Sequence, residues 1–360
     1  MKIAIVSTYP PKKCGIGIYA KRLAEALSKH NFVRVISFKG FDYRDKKAAP
    51  ILGKNNIFSY FKAAEYIRKQ KFNKVLIEYE YLFYNPLFFT VFLLLLKIKN
   101  TKVNLEIHTI VPYTDFIKKS IFTAYHSVML LFVDKVIMHA KTAEEKLLER
   151  TFVKRPVVLL PMPLLVRNPG AKKFEHKIET GHKKRILICF GFVNIDKGVD
   201  IAVKAFGGMN GVTLKIVGSV NPTSMKKQFV YYDKIKKEAK KFNNIIVIDR
   251  FISEEEKELL FKEADFFILP YRFIEQSAIL TDVWSYAKIP ICSDIKPLKE
   301  QIENKYGVLF KSEHPHDLRK TFVNIDNDKK RQKIIVNSIR KLIKQRSFDN
   351  YSKRLLPKLA

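Results

Sequence analysis

The sequence predicts an α/β protein built from two parallel-sheet domains in tandem. Short apolar strands alternate with amphipathic helices, and the alternation stops and restarts around a polar stretch near residue 175. Parallel sheets with crossover helices produce this alternation. With 360 residues, 47% of them hydrophobic, the chain is long enough for two domains and can fill two cores.

The first half contains six predicted strands: KIAIVS, FVRVISF, KVLIEYE, KVNLEIHTI, FVDKVIMHA and PVVLLPMP. Helices are predicted over IYAKRLAEALSKH, where Ile18, Leu23 and Leu27 share a side, and over TAEEKLLERTF. Pro86 to Leu96 forms the longest apolar run, well short of the roughly twenty residues that span a bilayer. Two interpretations stay open: a buried core helix, or a helix lying in a membrane interface.

The polar stretch RNPGAKKFEHKIETGHKKR is predicted to be a linker, because it has Gly and Pro and no hydrophobic period. After it the alternation restarts with RILICFG, GVDIAVKAF, VTLKIVG, a basic helix around YYDKIKKEAKKF, NIIVID, SEEEKELLFKEA, DFFILPY, ILTDVWSYA, IPICSD and YGVLF.

The formal net charge is +32, and it is uneven along the chain. Residues 1–100 carry 19 Lys and Arg against 6 Asp and Glu. Such a surplus indicates either an anionic partner or a Lys-rich solvated surface. No nucleic-acid-binding motif accompanies it, so no nucleic-acid partner is predicted. The three widely spaced cysteines indicate neither a disulfide framework nor a zinc site, and no metal is predicted.

Two strand-to-helix turns carry glycines suited to a close approach of the backbone to an anion. Gly15 and Gly17 are predicted to precede the first helix, whose amino terminus favours negative charge. Gly191 ends a later strand, and Lys197 stands at the start of the next helix, where the helix dipole disfavours a cation. A phosphate bound there would remove this conflict, whereas a lysine pointing to water is the alternative.

A third turn follows the strand that ends at Pro270. Its polar residues are Arg272, Glu275, Gln276 and Ser277. Ser277 is predicted to cap a helix and to leave the amides of Ala278, Ile279 and Leu280 for an anion. His108 ends an apolar strand in the first half, where α/β proteins bind ligands, and His139 is similarly placed; a structural role is the alternative for both.

In this order, these stretches resemble the retaining GT-B glycosyltransferases of family 4. PPKKCGIGIYAKRLAEAL is similar to the family's glycine loop, and FGFVNIDKGVDIAVKAF to its Lys-Gly segment. LPYRFIEQSAILTDVWSYAKIPICSD is similar to its Glu-x7-Glu region, and HTI takes the place of its active-site His. The resemblance covers residues 1 to about 320.

The resemblance implies two Rossmann-like, doubly wound domains facing a cleft. It places an acceptor domain over residues 1–170, a donor-nucleotide domain over 171–340 and a C-terminal helix over 341–360 that returns to the first domain. It implies a hexosyltransferase, for mannose or glucose, that uses a GDP- or UDP-sugar as substrate and no cofactor. The acceptor would be a lipid-linked or cell-surface glycan, at the cytoplasmic face of the membrane. The basic first hundred residues and the apolar run from Pro86 to Leu96 favour an anionic membrane surface as a further partner of this cytoplasmic protein.

The resemblance also implies roles for single residues. Glu275, Lys197 and His108 would be catalytic: Lys197 would neutralise the diphosphate, Glu275 would contact the sugar, and His108 would lie near it. Donor-binding residues would be Gly15, Gly17, Gly191, Arg272, Gln276, Ser277, Ala278 and Ile279.

Two positions depart from the family pattern. Phe192 stands where an Arg is usual, and Val283 where the second Glu is usual. They leave open an alternative: a non-catalytic partner subunit that binds nucleotide sugars.

Overall fold

The computed structural model describes residues 1–12, 14–98, 100–110, 116–166, 184–221, 225–274 and 277–359, with the backbone alone for 116–118. The predicted linker, up to residue 183, and the predicted site residues Glu275 and Gln276 lie outside this description. The chain forms two compact units. The first comprises Met1–Pro163 and Arg346–Ala360, and the second comprises Leu164–Gln345.

The first unit is a seven-stranded sheet flanked by helices, and its strands pair in parallel. Its strands are β1 (Lys2–Val6), β2 (Phe32–Phe38), β3 (Ala48–Leu52), β4 (Lys74–Tyr79), β5 (Lys102–Ile107), β6 (Lys135–Met138) and β7 (Val157–Leu159). Its helices are α1 (Gly15–Ser28), α2 (Ile57–Lys69), α3 (Pro86–Ile98), α4 (Phe116–Leu131), α5 (Lys141–Glu149) and, from the end of the chain, α13 (Phe348–Leu355). The strand order is β3-β2-β1-β4-β5-β6-β7.

The second unit is a six-stranded parallel sheet. Its strands are β8 (Arg185–Phe190), β9 (Val212–Val217), β10 (Ile245–Ile248), β11 (Phe266–Leu269), β12 (Ile289–Ser293) and β13 (Val308–Phe310). Its helices are α6 (Val199–Phe206), α7 (Lys226–Ala239), α8 (Glu254–Glu263), α9 (Ala278–Ser285), α10 (Lys296–Ile302), α11 (Pro315–Asn327) and α12 (Lys329–Gln345). The order is β10-β9-β8-β11-β12-β13, so the predicted α/β class with two parallel sheets is confirmed.

The sheet of the first unit has a core on each face, because successive side chains of a strand point to opposite sides. In β1, Ala4 and Val6 belong to the cluster that holds the buried side chains of α2 and α3. Ile3 and Ile5 belong to the cluster formed with α1 and α13. The end of the chain therefore completes the core of the first unit.

Helix α3 contains the apolar run from Pro86 to Leu96. Phe89 and Phe92 are fully buried, which confirms the core-helix interpretation for that side of the helix. Leu87 and Ile98 are 69% and 63% exposed, so a second side of the helix is apolar and faces solvent. Within the described part of the chain, every helix is too short or too polar to cross a bilayer.

Candidate functional site

The strand order of the second unit reverses between β8 and β11. From β8 the chain moves to β9 and β10 on one side, and from β11 it moves to β12 and β13 on the other. In open α/β sheets, ligands bind at the carboxyl ends of the strands beside such a switch point. Gly191 and Lys197 follow β8, and Arg272 and Ser277 follow β11. The topology thus brings together two stretches separated by about eighty residues.

The two turns are in direct contact. The Arg272 amide donates to the Asp196 carbonyl at 2.8 Å. Gly198 has φ of +60°, and a Cβ at this position would lie 2.0 Å from the Pro270 carbonyl oxygen. Only glycine fits this approach without a shift of the backbone, because both its left-handed conformation and the contact exclude a side chain.

Lys197 ends a 3₁₀ turn, Ile195–Lys197, and lies one residue before the glycine that opens α6. Its Nζ lies 3.8 Å from the centroid of the Tyr271 ring. Burial lowers the pKa of Lys197 to about 8, although nearby Asp196 acts in the opposite direction. In the described part of the chain, this ammonium forms no ion pair with a carboxylate.

A half-buried ammonium without a carboxylate is unfavourable, because the ring face of Tyr271 replaces only part of the hydration that it has lost. A phosphate oxygen beside Nζ would supply the missing counter-charge and would raise the pKa again. The arrangement is therefore suited to an anion.

Helix α9 begins beside Gly191. This glycine has φ of +110°, and a Cβ built on it would lie 3.5 Å from the Ile279 side chain. Ser277 is the N-cap of α9, as predicted, and its Oγ accepts from the Leu280 amide at 3.1 Å. The Leu280 amide is consequently not available to an anion, which corrects the expectation that three amides are left. The amides of Ala278 and Ile279 precede it in the first turn.

Arg272 holds the two turns together. Its guanidinium donates to both carboxylate oxygens of Asp200, at 2.7 and 2.8 Å, and to the Ile195 carbonyl at 3.0 Å. It also donates to Glu313 at 2.5 and 3.1 Å. Binding a diphosphate would require this side chain to release one of these carboxylates. Its role as a donor ligand stays a prediction.

The two positions that depart from the family pattern are structurally different. Phe192 is 52% exposed beside the candidate site. Val283 is fully buried in the core of the second unit. The neighbouring Asp282 pairs with Lys257 at 2.6 Å, so its carboxylate is already engaged.

In the first unit, the glycines are placed differently from the expectation. Helix α1 begins at Gly15, so Gly15 and Gly17 lie within its first turn and do not precede it. Cys14 is the N-cap, but its side chain makes no capping hydrogen bond to the helix, and the first turn has no acidic residue. A Cβ on Gly17 would lie 3.3 Å from the Tyr9 amide nitrogen, so the missing side chain lets the helix start pack on the loop after β1.

His108 directly follows β5, at the carboxyl end of the sheet. Its Nε2 lies 2.6 Å from Oε2 of Glu78, and its side chain is 7% exposed. Burial lowers the pKa of His108 to about 4, with Glu106 opposing and His139 adding to this shift. At neutral pH the imidazole is therefore uncharged.

The sequence did not predict three residues that lie beside the candidate site residues Lys197 and His108. Tyr271 provides the ring beneath Lys197, and Glu78 and Glu106 surround the histidine. The two carboxyls did leave a signal, because an acidic residue inside an otherwise apolar strand, as in KVLIEYE and KVNLEIH, is uncommon unless it is paired. The described residues contain no cluster of metal-ligating side chains.

Solved structures show the fold. The chain is similar to sucrose-phosphate synthase from Thermosynechococcus elongatus, with a TM-score of 0.74 and 15% identity over 99% of this chain and 98% of that one. For a glycosyltransferase from Rickettsia africae ESF-5, the TM-score is 0.75 and the identity 16%, over 99% of this chain and 97% of that one. For Anabaena HepE in complex with UDP-glucose, the TM-score is 0.73 and the identity 11%, over 100% of this chain and 99% of that one. The architecture is that of a GT-B protein with two Rossmann-like domains.

Residues 171–342 match the family model for glycosyl transferases group 1. The match lies within the second unit and includes the turns that carry Lys197 and Ser277. Together with the fold, it supports a GT-B glycosyltransferase. No curated protein matches the chain in sequence.

Proposed function

We propose that the protein is a retaining glycosyltransferase that moves a hexose, glucose or mannose, from a nucleotide sugar to a lipid-linked or cell-surface glycan. One observation carries this proposal: the half-buried Lys197 ammonium at the switch point of the second unit, on the ring of Tyr271 and without a carboxylate partner among the described residues. A donor diphosphate is the anion that such a site and the group 1 match favour.

The reaction requires stabilisation of the charge that develops on the departing nucleotide diphosphate. Lys197 and the first amides of α9 are fixed before the reaction begins, and preorganised donors of this kind lower a barrier by several kcal/mol. In this proposal Glu275 contacts the sugar and His108 lies near it, as the resemblance implies. Transfer occurs with retention at the anomeric carbon, and no metal is assigned.

The proposal also concerns the nucleotide base of the donor sugar. The Anabaena HepE structure contains UDP-glucose, which supports a UDP-sugar as the first candidate. A GDP-sugar is the second, and the experiment below distinguishes them.

The test is a thermal-shift panel of UDP-, GDP- and ADP-sugars on the wild-type protein, Lys197→Ala and Lys204→Ala. At a concentration of about 100 Kd, the donor should raise the midpoint by roughly 5 °C. The shift should disappear in Lys197→Ala. Lys204→Ala is the matched control, because this lysine lies on α6 with a 68% exposed side chain.

Two outcomes of this thermal-shift panel would contradict the proposed donor site. If no nucleotide sugar shifts the midpoint, or if Lys197→Ala keeps the full shift, the site is not a donor site. A shift for one nucleotide class only would identify the base.

A non-catalytic partner subunit is the second candidate, and Val283 favours it. A buried valine stands where the resemblance implies a ribose ligand, and the adjacent Asp282 is engaged by Lys257. Donor binding in the thermal panel without transfer or hydrolysis of the sugar would identify this second function.

The acceptor part of the proposal is supported by the outer surface of the first unit. Helices α2, α3 and α4 pack side by side on one face of the sheet. Large apolar side chains remain exposed there: Phe58, Phe61, Leu87, Leu94, Ile98, Ile121, Val128 and Leu131. We name this set the apolar helix surface. Apolar side chains among many lysines are suited to the interface of an anionic membrane, where a lipid-linked acceptor resides.

A further inference from the structure

The guanidinium of Arg272 has all of its hydrogen-bond donors occupied. An arginine side chain carries five N–H groups in a rigid planar fork. Nε donates to Oε1 of Glu313, and Nη2 donates to Oε2 of Glu313 and to Oδ2 of Asp200. Nη1 donates to Oδ1 of Asp200 and to the Ile195 carbonyl. Each N–H group therefore has its own acceptor within the protein, and none is left for a phosphate oxygen.

Arg272 contacts the backbone on both sides of Lys197. Ile195 opens the 3₁₀ turn that ends at Lys197, and Asp200 lies in the first turn of α6. The Arg272 amide adds a hydrogen bond to the Asp196 carbonyl at 2.8 Å. One arginine therefore fixes the chain immediately before and after the lysine.

The two carboxylates that hold Arg272 are fixed by different means. The Tyr231 hydroxyl of α7 donates to Oδ1 of Asp200 at 2.7 Å. Glu313 lies between β13 and α11, and its φ of +63° is in the left-handed region, which residues other than glycine seldom adopt. Such strain persists only where the surrounding contacts impose it, and the bonds to Arg272 are contacts of this kind.

Arg272 also follows Tyr271 directly in the chain. The Tyr271 ring is 3% exposed, and the Nζ of Lys197 lies 3.8 Å from its centroid. Arg272 consequently fixes the backbone of both partners in this contact. If the two turns separated, the Lys197 side chain would leave the ring, because water hydrates an ammonium better than one ring face does.

We propose that Arg272 is a positioning residue: it holds the turn that ends at Lys197 against the turn after β11, so that the Lys197 ammonium stays on the Tyr271 ring. Arg272 itself does not bind the donor. This inference rests on the proposed function only where it makes Lys197 the contact of a donor diphosphate. A lysine would not replace the arginine, because an ammonium lacks the fork that reaches Asp200 and Glu313 together.

The position of Lys197 can be measured by NMR, without any ligand, on full-length protein that carries lysine labelled with carbon-13 at Cε. An aromatic ring shields protons above its face, so the Lys197 Hε signal should lie upfield of the signals of solvent-exposed lysines. Lys197→Arg assigns this signal by removing it. In Arg272→Lys the signal should lose most of its upfield shift.

Arg185→Lys is the matched control. Arg185 also pairs with two carboxylates, those of Asp326 and Asp265, and its side chain is 20% exposed. It begins β8, whereas the candidate site follows the end of that strand. Arg185→Lys should lower the stability of the second unit without moving the Lys197 signal. If it moves the signal as far as Arg272→Lys does, the effect is a general loss of packing and the proposal is wrong.

Glu313→Ala makes the test independent of whether Arg272→Lys folds. The Glu313 side chain is 53% exposed, and its removal takes away two acceptors of Arg272. The Lys197 signal should lose part of its upfield shift. An unchanged signal in every variant of Arg272 or Glu313 that folds overturns the proposal, and so does a wild-type signal without an upfield shift.

A double-mutant cycle separates positioning from direct binding of the donor. With the donor identified by the thermal panel, Arg272→Lys should lower kcat/KM by about a hundredfold, the effect of displacing a group at the reacting centre by about 1 Å. In the Lys197→Ala background, the same substitution should have little further effect. Additive losses would identify Arg272 as a donor ligand and overturn the proposal.

The two arms fail independently. The NMR signal of Lys197 needs no donor, so the absence of any nucleotide-sugar binding would reject the proposed function and leave the positioning role of Arg272 to the NMR result.

Discussion

At the scale of single residues, the candidate site depends on a cation that the fold has partly desolvated. Lys197 stands on an aromatic ring with its pKa lowered to about 8 by burial. A surface lysine would have to be dehydrated when the donor binds. Here folding has already removed part of the water, so the cation is held in place for a phosphate oxygen.

This lowered pKa predicts how donor binding depends on pH. Below pH 8 Lys197 is charged in the free protein, and above it the charged fraction falls about tenfold per unit. Donor affinity should therefore fall as pH rises from about 8, until the pKa of the complex is reached. Calorimetric titration between pH 7 and about 10 measures this.

Lys197→Arg is the control, because a guanidinium stays charged throughout this range. If the variant binds donor and shows the same decline as the wild-type protein, another group is responsible. The Lys197 explanation would then be wrong.

Gly198 predicts a second residue-level effect, on stability. In Gly198→Ala the new methyl would meet the Pro270 carbonyl oxygen at 2.0 Å while the backbone has φ of +60°. We expect a loss of about 2–5 kcal/mol in the free energy of unfolding, measured with urea.

Gly211→Ala separates the effect of the left-handed backbone conformation from the effect of the steric contact with Pro270. Gly211 has φ of +74°, with no atom within 4 Å of a built Cβ. Gly211→Ala should lower the free energy of unfolding only by the strain of an alanine in the left-handed conformation, about 1–2 kcal/mol. Equal losses in the two variants would mean that the contact with Pro270 relaxes freely.

At the scale of elements, short helix α9 depends on its cap. It has eight residues, and the Ser277 hydroxyl, almost fully buried, accepts from the Leu280 amide. Ser277→Ala should lower the free energy of unfolding by about 1–2 kcal/mol, since a buried amide loses its partner. Chemical denaturation without ligand measures this.

Ser253 provides the comparison, because it caps α8 through the Glu256 amide in an exposed setting. Ser253→Ala should cost less, about 0.5–1 kcal/mol. A smaller loss at Ser277 than at Ser253 would contradict the importance of burial for this cap.

Helix α13 packs in the core of the first unit, although it lies far from the rest of that unit in sequence. Tyr351 and Leu355 of α13 are buried in the cluster that contains Tyr19 and Leu23 of α1. The Tyr351 hydroxyl also reaches Glu106. Residues after the second unit thus complete both the core and the buried polar network of the first.

At the scale of the whole molecule, the charge of +32 and the apolar helix surface predict salt-sensitive membrane binding. In flotation assays the protein should bind vesicles with anionic phosphatidylglycerol more strongly than neutral ones. Raising NaCl from about 0.1 M to about 1 M should release it, because the screening length falls from about 10 Å to about 3 Å.

The double variant Leu87→Ser and Leu94→Ser should weaken this binding, since both leucines are exposed on α3. Leu259→Ser is the control, because Leu259 is exposed on α8 of the second unit. Equal binding to neutral and anionic vesicles would contradict the electrostatic part of the prediction.

The sequence by itself determined the class of fold and the most prominent candidate turn. Apolar strands alternating with amphipathic helices specify parallel sheets, and these signals are local. The same is true of the Lys197–Gly198 pair and of the serine that caps α9. Strand β3 and helices α2, α4, α10, α11 and α12 were not anticipated. In β3, α2 and α4 the apolar positions only partly follow one period.

Only the tertiary structure decided which distant residues meet. Nothing near Glu78 in sequence indicates that Glu106 lies across from it, since this depends on β4 and β5 becoming neighbours in register. Tyr271 lies beneath Lys197 only because β8 and β11 are adjacent. Burial, and with it the lowered pKa of Lys197 and the raised pKa of Glu78, comes from packing by elements distant in sequence, whereas helix and strand periodicity comes from neighbouring residues.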